Sequence, residues 1–286
     1  MMAVAQLNDR AIIKISGDDA EGFLQNILTC DISETIDQKS VFGALLSPQG
    51  KILFDFILYR NAEGSFICDI ASDQAEAFMK RLGFYRLRAK VLIEALAQTY
   101  GVFAGWDGAA QPEGTLTSSQ DPRIAALGWR AIAEKGTIST DTDEKAYHIH
   151  RISLAIPEGG QDFVFGECFP HEADMDQIHG VSFGKGCYIG QEIVSRMQHR
   201  GTARTRFIKA GFTGTPPTPL QDVTVGDRLI GKSGSSTRDT VLIMVRLDKA
   251  SDAIEAGLPI ICGEAVLSPE KPEWATFAFP LKSTGD

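Results

Sequence analysis

Between Phe183 and Gly201 the chain reads FGKGCYIGQEIVSRMQHRG, which places Cys187 among three glycines, directly after Lys185-Gly186 and just ahead of a helix-forming run. The thiolate is the nucleophilic and metal-binding form of cysteine, and a nearby ammonium and a helix N-terminus both favour it. Cys187 and Lys185 are therefore the candidate catalytic pair. Gly184, Gly186 and Gly190 let a backbone turn tightly and approach a ligand closely. The competing reading is that Cys187 packs as a small apolar side chain in a glycine-rich turn, and the local residues leave both open. The five cysteines, at 30, 68, 168, 187 and 262, are odd in number and widely separated, with no C-x-x-C pair and no histidine at zinc spacing. Neither a disulfide framework nor a metal site is expected.

A second candidate is Asp55. In the run KILFDFILYR, Ile52, Phe54, Phe56 and Leu58 alternate with Leu53, Asp55, Ile57 and Tyr59, so a strand there embeds a carboxylate among apolar neighbours. Such a group needs a donor or a cation. An exposed face, a structural salt bridge and a ligand contact would each satisfy that need. Downstream of Cys187, Arg196, His199, Arg200, Arg204, Arg206 and Lys209 form a basic cluster in a chain whose net charge is -9. That charge argues against general nucleic-acid binding. The cluster itself suits a polyanion, or serves the helix C-terminus it follows.

The elements that must position these groups alternate along the chain. AIIKI reads as a strand, Ser16 to Asp19 as a turn that can cap a helix, and Ala20, Phe23, Leu24, Ile27 and Leu28 as a helical apolar face. VFGALL and KILFDFILYR around Ser47-Pro48-Gln49-Gly50 give a hairpin pattern, and FICDI a further strand. Residues 73–84 repeat as an amphipathic helix, and a helix is expected from about Gln191. After Pro219 come short strand-like runs, VTVGDRLIG, DTVLIMVRL, IICGEAVLS and EWATFAFPL, punctuated by turn residues. The fold class is thus α+β, with residues 1–205 as one region, read as two interleaved subdomains, and 206–286 as a C-terminal antiparallel β-barrel. No run approaches the length of a membrane helix. The N-terminus lacks a secretory leader, so the cytoplasm is the expected location.

KGCYIGQEIVSR with its following HRG is similar to the K-G-C-[FY]-x-G-Q-E signature and downstream R-G of the YgfZ branch of the aminomethyltransferase (glycine-cleavage T-protein) superfamily. SGDDAEGFLQNILTCDI, LLSPQGKILFDFILYR, DPRIAALGWR and RISLAIPEG resemble the other segments of that family in the same order. The resemblance implies a T-protein-like multi-part folate-binding fold, tetrahydrofolate as cofactor, and a required cysteine at 187. It also implies service to iron–sulfur enzymes or their assembly machinery, including enzymes that modify tRNA, whereas direct tRNA binding is not the expected mode. Tyr147, Asp55, Arg151, Gln191 and Glu192 become the candidate folate contacts. Tyr147 would stack on a pterin or benzoyl ring. Arg10, at another position near the ligand in the family, pairs with a folate tail or is an ordinary surface cation.

Two departures bear on activity. T-proteins carry paired aspartates where this chain has Phe54-Asp55, and a glutamate where it has Ser153. An iron–sulfur maintenance factor is therefore preferred over an aminomethyltransferase, with a non-catalytic folate-responsive scaffold as a third reading.

Overall fold

The computed structural model describes residues 2–38, 40–96, 98–201 and 203–280. It contains two compact units, Met1–His148 with Ile178–Gln191, and Ile149–Gln177 with Glu192–Asp286. No described helix is long and apolar enough to cross a membrane.

The first unit begins with strands β1 (Ala3–Leu7) and β2 (Arg10–Ser16), then helices α1 (Ala20–Ile27) and α2 (Thr35–Gln38). Strands β3 (Ser40–Leu46), β4 (Ile52–Arg60) and β5 (Phe66–Ala71) precede helix α3 (Ala75–Arg86). Strands β6 (Leu92–Ala95), β7 (Tyr100–Trp106), β8 (Thr117–Gln120) and β9 (Trp129–Glu134) follow, and α4 (Glu144–Ser153) contains the first chain crossing between the units. An antiparallel sheet runs β3-β4-β5-β2-β6, and a second runs β1-β7-β9-β8. The β-branched AIIKI run becomes β2, paired on both sides, with β5 and β6. Helices α1 and α3 cover the five-stranded sheet because their apolar stripes, Ala20, Leu24 and Ile27 on one and Phe78 and Leu82 on the other, need burial. Phe78 lies 5.3 Å, centroid to centroid, from both Phe54 and Phe56 of β4. At the β2–α1 turn only glycine fits: Gly17 has φ +115°, and a Cβ there would meet the Lys90 carbonyl oxygen at 2.2 Å.

The second unit contains α5 (Gln191–Arg200) beyond its first residue, strands β10 (Thr205–Thr213), β11 (Asp222–Val225), β12 (Arg228–Ser236) and β13 (Thr240–Arg246), helix α6 (Leu247–Glu255), and β14 (Ile260–Cys262) and β15 (Ala265–Glu270). The six strands close an antiparallel barrel in the order β10-β13-β12-β11-β14-β15, with β15 returning to pair with β10. The expected α+β class with a C-terminal barrel is the fold observed. Two details differ. Leu247, Ala250 and Ala253 place a helix against the barrel core, where the sequence showed little helical pattern. EWATFAFPL forms no strand over its described residues. A closed barrel leaves no edge to pair with, so Phe277 and Phe279 pack on its core instead, while Trp274 donates its indole N–H to the Leu154 carbonyl at 2.7 Å.

Candidate functional site

The segment that carries Cys187 lies in the first unit and is fastened at three points. Thr29 accepts the Ser182 amide on its carbonyl at 2.9 Å and donates its hydroxyl to the Gly180 carbonyl at 2.6 Å. The same hydroxyl accepts from the Ala44 amide at 2.8 Å, which ties the segment to β3. Lys185 turns inward, donating from Nζ to the carbonyls of Leu28 and Cys30 at 2.7 Å each, with the Tyr188 ring 5.5 Å away. Gly190 closes the segment at φ +81°, and a Cβ there would stand 2.7 Å from the Ser47 carbonyl oxygen of the β3–β4 turn. Both the dihedral and the close approach demand glycine at 190.

These anchors give an alternation in which Lys185 and Tyr188 are buried and Gly186-Cys187 are lifted out between them. Nothing lies within 4 Å of a Cβ placed at Gly184 or Gly186, so these two glycines leave open space beside the thiol. Burial lowers the Lys185 pKa, partly offset by Cys30 and Asp31. The ammonium expected to support the Cys187 thiolate is instead bonded to backbone carbonyls, which makes Lys185 a positioning residue. The signal the sequence lacked is Thr29 with its neighbouring carbonyls, more than 150 residues away, as the 157-residue separation of Leu28 and Lys185 shows.

The other four cysteines are buried. Burial pushes the Cys30 thiol up to about 12, pushes Cys68 well up, and raises Cys262. These shifts disfavour the thiolate, the form that acts as nucleophile and ligand. Cys187 alone among the cysteines is exposed.

The expected folate contacts fall differently. Tyr147, on α4, is 1% exposed, and its hydroxyl accepts from Arg123 and Arg130, each at 2.7 Å. Arg123 also holds Asp121 through two side-chain bonds, at 3.0 and 2.7 Å. Arg130 reaches Asp69 at 2.5 Å, and Asp69 also accepts from Arg10 at 2.6 Å. Burial disfavours charge on Asp121, yet Arg123 and Arg130 outweigh it and hold the carboxyl below its usual range. This buried network of three arginines and two aspartates corrects two expectations. Arg10 is a partner of Asp69 rather than a surface cation, and the covered Tyr147 ring does not fit a stacking role. Asp55, opposite Ala44 in the β3–β4 pair, is 5% exposed.

In the second unit Arg151 is 1% exposed; it is paired with Glu158 at 3.1 Å and Asp162 at 2.7 Å, and it donates to the Ile156 carbonyl. It braces the turn after α4 and does not fit an open ligand contact. Gln191 is half-buried at the start of α5, and the exposed Glu192 pairs with Arg196 at 3.3 Å. The basic cluster is divided, because Arg206 points inward to Asp174 and Asp176 while His199, Arg200 and Arg204 stay exposed.

Comparison with known proteins adds to this geometry. Residues 3–106 match the GCVT N-terminal domain and residues 204–277 the C-terminal β-barrel domain of CAF17. The chain is 30% identical over 266 residues to the human mitochondrial iron–sulfur cluster assembly factor IBA57, covering 82% of this chain and 72% of the relative. The Neurospora crassa homolog of that factor is 31% identical over 230 residues, covering 72% of this chain and 52% of the relative. The chain thus spans about half the length of this fungal relative. The crystal structure of the glycine cleavage system aminomethyltransferase T from Bartonella henselae superposes with a TM-score of 0.73 at 15% identity, covering 98% of this chain and 86% of that one. It shows the T-protein-like fold. The cytoplasmic expectation is corrected by these relatives, which are described as mitochondrial. That expectation rested on reading for a secretory leader, a signal distinct from those for organelle import.

Proposed function

The chain belongs to the IBA57 family of iron–sulfur cluster assembly factors, and on that premise we propose that it serves cluster assembly through the Cys187 thiolate. The observation that supports this is the display of Cys187 on an anchored, glycine-flanked loop while the other four thiols are buried. Clusters are held by cysteine thiolates. A single exposed thiolate holds a cluster or a sulfur species only transiently, or together with ligands from a partner, which is the behaviour an assembly factor requires. The partners are the assembly machinery and its client iron–sulfur enzymes, tRNA-modifying enzymes among them. The K-G-C-Y-I-G-Q-E run supports reading the chain as YgfZ-like within the superfamily.

Tetrahydrofolate is the proposed ligand, with Asp55 and Gln191 of the first unit as its candidate contacts; Tyr147 and Arg151 contribute by holding the fold. The Phe54-Asp55 pair and Ser153 favour assembly over aminomethyl transfer, and no step is assigned to the folate itself.

The test is anaerobic cluster transfer from a loaded donor protein to an apo-ferredoxin, followed by visible absorption. Wild type and Cys68→Ser should accelerate transfer, and Cys187→Ser should not. Equal acceleration by Cys187→Ser would overturn the assignment. Calorimetry with tetrahydrofolate checks the ligand: Asp55→Asn should weaken binding about tenfold, the loss of one charge-assisted hydrogen bond, and absence of binding to wild type would remove folate from the account.

A further inference from the structure

The two most exposed large apolar side chains among the described residues are Leu87, 87% exposed, and Phe84, 73% exposed. They stand three residues apart where α3 ends, inside the run KRLGFYRLRAK from Lys80 to Lys90. That run holds five cations and no carboxylate in a chain whose net charge is -9. Lys80, Arg81, Arg86 and Arg88 are exposed, and none of them is ion-paired among the described residues. Lys90 meets Asp18 at 3.3 Å, with both side chains largely in solvent.

The backbone holds this knob in place. Leu87 has φ 47° and ψ -106°, a conformation that favours glycine. Arg86 fixes the turn by donating to the Val91 carbonyl at 3.1 Å. A strained leucine in solvent contributes little to folding, so its place is better explained by what it contacts in a partner. Two concavities adjoin Leu87 and Phe84. One of about 550 Å³ is lined by Asp18, Asp19, Phe23, Tyr85, Arg86 and Leu87 among others. The other, of about 560 Å³, is lined by Phe54, Ala77, Lys80, Arg81 and Phe84.

We propose that this cation-ringed apolar knob is a docking site for an acidic segment of a partner protein that carries apolar side chains. The carboxylates of that segment meet the cations from Lys80 to Lys90, and its apolar side chains contact Phe84 and Leu87 and enter the two cavities. A bilayer surface would match the charge but offers no side chains shaped to fill two concavities, so a protein segment is the better occupant.

The test uses a fluorescein-labelled peptide that alternates Glu-Asp with Leu-Phe pairs, followed by anisotropy at low salt. Wild type and Cys187→Ser should bind it equally, which separates this surface from the cysteine. Phe84→Ala, Leu87→Gly and the double change Arg86→Glu with Arg88→Glu should each weaken binding by about tenfold. Leu87→Gly should keep or raise the melting temperature, so that loss of binding is not loss of fold. Equal binding of a peptide with serine in place of Leu-Phe would overturn the proposal. So would unchanged affinity in a folded Leu87→Gly variant, or binding to anionic vesicles with no binding to the peptide.

Discussion

Replacing Lys185 with methionine separates anchoring from activation. Methionine keeps an apolar stem of similar length but removes two charge-assisted hydrogen bonds of 2.7 Å to the carbonyls of Leu28 and Cys30. Such bonds contribute about 1.5–3 kcal/mol each. Part of that gain is offset in wild type by the cost of burying the ammonium, which is why burial lowers its pKa. The net loss is about 2–3 kcal/mol, or about 30- to 150-fold in the opening equilibrium of the loop. Hydrogen exchange followed by mass spectrometry should report that increase in the amides from Phe183 to Gly190, with the barrel unchanged. The rate of Cys187 alkylation by iodoacetamide should change by less than about threefold, because the thiol is exposed in the closed loop already. Unchanged exchange protection together with a collapse of Cys187 reactivity would refute the reasoning, since it would mean that the ammonium acts on the thiol and does not hold the loop.

Three further outcomes follow from the same geometry. Gly190→Ala should lower stability by about 2–4 kcal/mol, from a positive φ and a Cβ within 2.7 Å of the Ser47 oxygen, whereas Gly186→Ala should change it by no more than about 0.5 kcal/mol; thermal melts of the two compare directly. Tyr147→Phe should cost about 2–4 kcal/mol in denaturant unfolding by leaving two buried guanidinium groups short of an acceptor, while tetrahydrofolate affinity stays unchanged because the ring is covered. Asp121 has a folded-state pKa below its unfolded one, so its stabilisation is complete above the ordinary aspartate pKa and is lost as pH falls through the lowered value. Melting temperature against pH should therefore drop on the acid side of pH 4, and Asp121→Asn should lie well below wild type at neutral pH and converge with it in acid.

Local pattern was sufficient for much of the framework. AIIKI became β2, KILFDFILYR became β4, the helix after Gly190 began at Gln191, and three of the four short runs after Pro219 closed into a barrel together with Thr205–Thr213. These depend on periodicity and turn chemistry, which act over a few residues. Contacts distant in sequence were not legible. Nothing near Lys185 announces that its partners are carbonyls at 28 and 30, and nothing near Tyr147 announces two arginines at 123 and 130. A lysine beside a cysteine reads as an activator until the direction of its side chain is known. An aromatic residue on a helix reads as a stacking platform until its burial is known. Leu87 shows the same limit in reverse, since no sequence rule places a leucine in a conformation that favours glycine and leaves it in solvent.

The central claim is that Cys187 carries the assembly function, and the most direct measurement is iron–sulfur enzyme activity in cells whose own gene for this protein is replaced. Cells expressing wild type or Cys68→Ser should retain that activity, and cells expressing Cys187→Ser at equal protein level should fall to the level of cells with no copy. Full activity with Cys187→Ser would contradict the account.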